Sequence, residues 1–359
     1  MDGCRAETDG LPAALLARAD LPTAYKRDER SRTCGNVDRP TAGHAHVILV
    51  LRALGLGDLL TAVPALRALR AARPRDRLVL AAPGWLRPVV DLADCVDELH
   101  ATPMAGALRW NAAPPSIAVN LHGAGPASIA DLLATGPQQL ITYRHADFPL
   151  VPGPPWPTDV HETSRWCMLL ESAGIPADPT RLDLDPPPGT SSTRAHIVVH
   201  PGGSSPARQW PATRFATVIA NLREWGYPIM VTGSANDAAL AQFVAERAGL
   251  PRHAAVAGEL TLGQLATTIA SAALVVSGDT GVGHLATAFG TPSVLVFGPN
   301  PPEWWGPPSH RQRHTALWAG HASDPHAAEP DRGLLMINAA EVAAAADRQL
   351  AAWNCEARV

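Results

Sequence analysis

From His46 onward the chain alternates short β-branched runs with stretches whose apolar positions recur at helical spacing. The run VILVLR predicts a first strand, followed by a turn over 53–58 and an amphipathic helix reaching Arg73. Leu59, Val63, Leu66 and Leu69 share one face of that helix, and Pro64 falls early enough to be tolerated with a local kink. Strands are predicted at 78–82, 116–121 and 139–143, with helices near 86–93 and 128–134 between them. Such alternation reads as a parallel sheet covered by helices.

The Pro-rich segment 149–157 interrupts the pattern, and a helix is predicted over 162–173. A second stretch rich in Pro, Ser and Thr, 185–194, reads as a linker. The alternation then restarts, with strands at 196–200, 229–232, 274–277 and 293–297 and helices at 211–225, 237–248 and 262–272. Residues 299–333 read as a loop rich in Pro, His and Trp, and Asn338 with Glu341 makes a capping-box start to a last helix ending near Trp353. The expected organisation is a flexible extension over 1–43, with one short helix near 12–19, and then a first α/β half over 44–185. A linker at 186–194 leads to a second half over 195–335, and a terminal helix over 336–359 packs back on the first half. Two doubly wound halves of this kind would bind a ligand in the cleft between them, at the carboxyl ends of their strands.

The composition narrows the class. A net charge of −4 argues against a nucleic-acid binder, which needs a basic face. Lys26 is the only lysine among the 29 basic residues, and with many Ala and Pro this bias reads as GC-rich coding rather than function. The five cysteines are scattered with no CxxC pair, which points away from disulfides and zinc and toward a reducing cytoplasm. No apolar run approaches the ~20 residues of a membrane span. The acidic start MDGCRAETDG is unlike a signal peptide, so any membrane contact is expected to be peripheral.

Three loops at predicted strand ends carry the candidate chemistry. The first, Leu54-Gly55-Leu56-Gly57-Asp58, lacks the third glycine of a dinucleotide fingerprint because Leu60 stands there. Its glycines permit a tight turn that leaves Asp58 at the helix start, either as a plain N-cap or as a carboxylate base for a hydroxyl nucleophile. The second follows His200. Gly202, Gly203 and Ser204 can cradle an anion there, and Arg208 can offer a bidentate fork to a diphosphate. Trp210 in this loop reads as a packing residue.

The third loop, Asp279-Thr280-Gly281-Val282-Gly283-His284, joins a strand to a helix N-terminus. The free N–H groups of Thr280, Gly281 and Val282 would there face a phosphate. His284 could add a donor or a positive charge, and Asp279 either caps the helix or holds the turn. Asp237 reads as a helix cap or a ribose ligand, and His122 as a residue on the acceptor side of the cleft. The histidines at 310, 314, 321 and 326 show no metal-ligand spacing. GxSxG, Walker A and HExxH motifs are absent from the sequence.

Taken together, the stretches RALGLGDLLTAVPALRALR (52–70), HPGGSSPARQWPATRFA (200–216), SGDTGVGHLATAFGTPSVLVFGP (277–299) and INAAEVAAA (337–345) resemble glycosyltransferase family nine. That family contains the ADP-heptose heptosyltransferases of lipopolysaccharide core assembly. The resemblance implies a GT-B fold and an inverting, metal-independent transfer without a cofactor. Its donor would be an ADP-sugar held mainly by the second half. It assigns Asp58 as the general base and gives Arg208, Asp237, Asp279, Thr280, Gly281 and His284 to the donor. The loops' own reading adds Gly202 and Ser204 on the donor side and Gly57 and His122 on the acceptor side.

Arg208 stands where the family usually has Lys, and Asp237 where a Glu is common. The acceptor is open between a lipid-linked glycan and a small soluble molecule. Two rival readings are a nucleotide-sugar hydrolase or epimerase and a non-catalytic nucleotide-sugar binder. A Rossmann oxidoreductase is disfavoured by Leu60 and by the lack of an acidic residue on the second strand.

Overall fold

The first five strands pair entirely in parallel, in the order β3-β2-β1-β4-β5, in a computed structural model that describes residues 46–356. They are β1 (Val47–Leu51), β2 (Arg77–Ala82), β3 (Glu98–Ala101), β4 (Ile117–Asn120) and β5 (Gln139–Ile141). The expected extension over 1–43 lies outside the described residues. A second parallel sheet, ordered β10-β9-β8-β6-β7, contains β6 (His196–His200), β7 (Ile229–Val231), β8 (Ala272–Gly278), β9 (Ser293–Val296) and β10 (His314–Leu317). Central strands buried on both faces read as continuous apolar runs: every residue of β8 is buried, as are all but the first of β1.

The helices of the first half are α1 (Leu56–Ala72), α2 (Arg87–Ala93), α3 (Ala127–Ala134) and α4 (Glu162–Ser172). Those of the second are α5 (Ala212–Leu222), α6 (Ala238–Arg247), α7 (Leu262–Ala270), α8 (Gly281–Ala288), α9 (Pro302–Trp305), α10 (Arg332–Met336) and α11 (Ala339–Glu356). Pro64 lies in the middle of α1 rather than near its start, and the helix runs through it unbroken.

One apolar core crosses from the first sheet to the second. Leu59, Leu60, Val63 and Leu66 of α1 belong to the same buried cluster as Val282, Leu285, Ala286 and Phe289 around α8. The contact of α1 with α8 therefore joins the two halves directly.

Two strands were not expected. β3 reads Glu-Leu-His-Ala and β10 reads His-Thr-Ala-Leu, and each lies at the outer edge of its sheet, where only one neighbour needs apolar packing. β10, α9 and part of α10 replace the loop predicted over 299–333. The terminal helix also departs from expectation: it packs on the second half, not the first. Val342, Ala345, Ala346 and Leu350 enter the core of the second sheet with Phe215 and Ile219 of α5. Polar ties fix that placement, with Gln349 Nε2 donating to Gln312 O (2.9 Å) and Trp225 Nε1 donating to Asp347 Oδ1 (2.7 Å). The predicted capping box is formed: Asn338 Oδ1 accepts from Glu341 N at 3.0 Å, and Glu341 Oε2 accepts from Asn338 N at 2.9 Å.

Candidate functional site

Each sheet reverses its winding once, and the candidate residues cluster at those two points. In the first sheet β1 and β4 are neighbours with crossovers leaving in opposite directions, and the segments after them carry Asp58, in the first turn of α1, and His122. In the second sheet β6 and β8 play that part, and their loops carry Gly202–Arg208 and Asp279–His284. Ligands of open α/β sheets bind in the crevice outside the carboxyl ends of strands at such points.

Asp58 lies in the first turn of α1, where Gly55 is the N-cap. Its Oδ2 accepts from Gly55 N at 3.2 Å, so the capping role is present, in the form of a capping box rather than of the N-cap itself. Its Oδ1 accepts from Arg52 Nη2 at 3.2 Å, and the side chain remains 28% exposed. The carboxylate is thus held on its inner side and open on its outer side. His122 stands at the end of the neighbouring strand, its N–H donating to Asn120 Oδ1 at 3.1 Å and its Nδ1 buried without a partner. Burial, and then the charge of Arg52, holds its imidazole below the usual pKa; Asp58 and Asp131 oppose that shift.

Across the crevice, the β6 loop and the β8 loop are locked together. Arg208 Nη2 donates to Asp279 Oδ2 (2.6 Å) and to Asp279 O (2.8 Å), while Nη1 donates to Ser204 Oγ (3.1 Å). The fork expected to wait for a diphosphate is therefore engaged by Asp279. Nε, buried and unpartnered, and the second N–H of Nη1 are left. Asp279 does not cap α8: Thr280 is the N-cap, and its Oγ1 lies 2.8 Å from Ser277 Oγ. The other Asp279 oxygen, Oδ1, is buried with no partner. The first N–H groups of α8 have no carbonyl within the helix to bond, which leaves them as anion donors.

Asp237 meets the β6 loop. A Cβ on Gly202 would lie 2.8 Å from Asp237 Oδ2, so only glycine admits that approach. The same oxygen accepts from Ser234 N (2.8 Å) and Ser234 Oγ (2.6 Å), and Asp237 caps the turn into α6. Trp210 is buried and donates through Nε1 to Ile337 O at 3.0 Å, as a packing residue does.

The two sides touch through small residues. A Cβ on Gly57 would stand 2.8 Å from His284 Cδ2, and one on Gly281 would stand 2.8 Å from Leu56 Cβ. His284 also packs edge-on against Trp305, with ring centroids 6.1 Å apart. Burial keeps its imidazole below the ordinary pKa, with Asp279 opposing, which favours the neutral N–H donor over the charged form. A small cavity runs behind this contact, lined by Thr61, His161, Thr163, His284, Thr287 and Gly306 among others. His161 spans the halves there: its Nδ1 accepts from Thr163 N (3.2 Å), so its Nε2 donates to Gly306 O (3.0 Å).

Three residues escaped sequence reasoning. Buried Arg52 pairs with Asp58 on one side and with buried Glu162 on the other. Asn300 holds Asp279 Oδ2 through Nδ2 at 3.0 Å. An arginine closing an otherwise apolar strand was the one available signal for Arg52. Among the described residues, no group of three or more His, Cys, Asp or Glu side chains could hold a metal ion, and no helix is long and apolar enough to cross a membrane.

Comparison with known proteins places residues 164–332 under the model for glycosyltransferase family 9 (heptosyltransferase). Lipopolysaccharide heptosyltransferase 2 of Escherichia coli K12 is 31% identical over 137 residues, which is 36% of this chain and 39% of that protein. The chain thus aligns with about two fifths of that curated relative. Among solved structures, E. coli ADP-heptose lps heptosyltransferase II superposes with a TM-score of 0.70 at 22% identity, covering 85% of this chain and 98% of that one. A glycosyltransferase family 9 protein from Veillonella parvula gives 0.69 at 21% identity, with 86% and 98% covered. These structures show the fold, two facing Rossmann-like halves in the GT-B arrangement.

Proposed function

We propose, on the premise that residues 164–332 belong to glycosyltransferase family 9, that this chain transfers a sugar, a heptose by family likeness, from an ADP-sugar to an acceptor hydroxyl. The observation that carries the reading is the meeting of Gly57 with His284, which sets a partly exposed carboxylate and a bed of anion donors on opposite walls of one crevice.

Asp58 takes the proton from the acceptor hydroxyl as its oxygen bonds to the anomeric carbon. The bond from that carbon to the diphosphate oxygen breaks on the opposite face, so configuration inverts and ADP leaves with both electrons. The developing negative charge falls on the N–H groups of Thr280 and Gly281, on the His284 N–H and on Arg208 Nε. Such fixed donors are worth most in a site closed to water. The leaving-group role is assigned wholly to these groups, with no divalent cation or cofactor. Gly202, Ser204 and Asp237 are assigned to the nucleotide side, and Gly57 and His122 to the acceptor side. The acceptor is a glycan, lipid-linked or small molecule, met in the cytoplasm with at most peripheral membrane contact.

The test is a thermal-shift screen of ADP-, UDP- and GDP-sugars, followed by transfer assays with and without EDTA. Stabilisation by ADP-sugars and EDTA-insensitive transfer support the reading. A preference for UDP-sugars defeats the donor assignment, and release of free sugar regardless of acceptor favours a hydrolase.

A further inference from the structure

Beneath Asp58 lies a charged cluster that the transfer chemistry above does not use. Arg52 directly follows β1 and is buried, yet every nitrogen of its guanidinium is engaged. Its Nε donates to Asp58 O (2.9 Å), and its Nη1 donates to Leu121 O. Its Nη2 donates to Asp58 Oδ1 (3.2 Å), Thr61 Oγ1 (3.2 Å) and Glu162 Oε1 (3.0 Å). One face of the guanidinium lies over the Trp166 ring, with Cζ 4.8 Å from its centroid. This single side chain therefore ties the start of α1, the end of β4 just before His122, and the start of α4.

Glu162 completes the cluster. Besides Arg52, its Oε1 accepts from Trp166 Nε1 at 3.0 Å, and its Oε2 pairs with Arg165, whose guanidinium stacks on Trp156. A buried guanidinium needs a counter-charge, but Asp58 alone would supply it at the expense of its own basicity. Glu162 sits closer to Arg52 Nη2 than Asp58 does and is less exposed than Asp58, at 6% against 28%.

We propose that Arg52 and Glu162 are the positioning pair for Asp58. Arg52 fixes the direction of its carboxylate, and Glu162 draws off enough of the guanidinium's charge for Asp58 to accept a proton from a hydroxyl. The inference rests on the reading of Asp58 as the base. Other charged or titratable groups also face the neighbourhood of Asp58: His122 from the end of β4, Arg165 and His161 from α4 and its cap, and His284, Asp279 and Arg208 from across the crevice. None of them bonds the Asp58 carboxylate, which accepts from Arg52 and Gly55 alone among the described contacts.

The experiment measures kcat and kcat/KM for sugar transfer from the preferred nucleotide sugar against pH, in the wild type and three variants. Arg52→Gln should raise the acid limb of kcat/KM by about one pH unit, and Glu162→Gln should lower it by a similar amount. Arg52→Lys keeps the charge but not the fork, so the limb should stay while kcat falls on the order of 100-fold. If Arg52→Gln does not fold, Glu162→Gln carries the test, since a glutamine retains the acceptor for Trp166 and Arg52. Uniform losses of kcat with an unmoved limb in the folded variants overturn the inference and leave the function standing. A wild type that transfers no sugar, or an Asp58→Asn variant that keeps its turnover, overturns both.

Discussion

Gly57 and His284 come from opposite halves of the chain, yet a single methyl group on the first would lie 2.8 Å from the ring of the second. The close approach brings the first turn of α1 onto the first turn of α8. Gly57→Ala is expected to push the imidazole aside or part the two walls. Transfer should fall by about 10²-fold, since displacements near 1 Å are that costly to reacting geometry. Circular dichroism and the thermal midpoint should change little, because the residue lies at the rim of the core. Unchanged kcat in Gly57→Ala would show that the contact is incidental.

Asp58→Asn keeps the size of the side chain and removes its basicity. Turnover should drop at least about 10²-fold, the range for loss of a general base. Calorimetric affinity for ADP should stay near that of the wild type, because the nucleotide side is assigned to the other half.

The link between Arg208 and Asp279 offers a third prediction. Arg208→Lys keeps a charge but replaces a fork that reaches Asp279 O, Asp279 Oδ2 and Ser204 Oγ together. The expected outcome is a KM for the donor raised about tenfold or more with a lowered thermal midpoint. Asp279→Asn should lower the midpoint further, because it leaves Arg208 without its counter-charge. Equal midpoints for both variants and the wild type would show the pair to be dispensable.

Several partly buried histidines give the protein an acid-sensitive stability. Burial pushes His200 and His314 down to about 4, and lowers His122, His161, His196 and His284 as well. These groups stay neutral when folded and bind protons more readily when unfolded. Stability is therefore fully present above the unfolded value of about 6.5 and is lost as pH falls from there toward about 4. Denaturant titrations should give a free energy of unfolding that declines between pH 7 and pH 5. His200, bonded to Thr232 Oγ1 at 3.1 Å, should contribute on the order of 1–2 kcal/mol of that decline. His200→Asn should flatten the slope accordingly.

The central strands and the three loops were legible because their signals are local. β1 and the first five residues of β8 are unbroken apolar runs that lead into glycine turns, and a helix starts within a few residues of each. β3 and β10 carry no such run, since edge positions ask for little apolar surface and their residues are mostly half-buried. The Arg52 cluster was hidden for another reason: its partner Glu162 is 110 positions away, in a segment that reads as an ordinary helix start. Arg208 was read as a free fork because nothing in its own loop announces Asp279, 71 positions on. Charge neutralisation is a property of the folded neighbourhood, and spacing along the chain does not encode it.

The placement of α11 has a practical corollary. With Val342, Ala345 and Leu350 embedded in the core of the second sheet, the last helix is an integral part of the second half. A deletion beginning at Ala339 would strip a lining from that sheet and should yield aggregated material. With Cys4 and Cys34 replaced, a reporter dye on the exposed Cys355 would report on the second half.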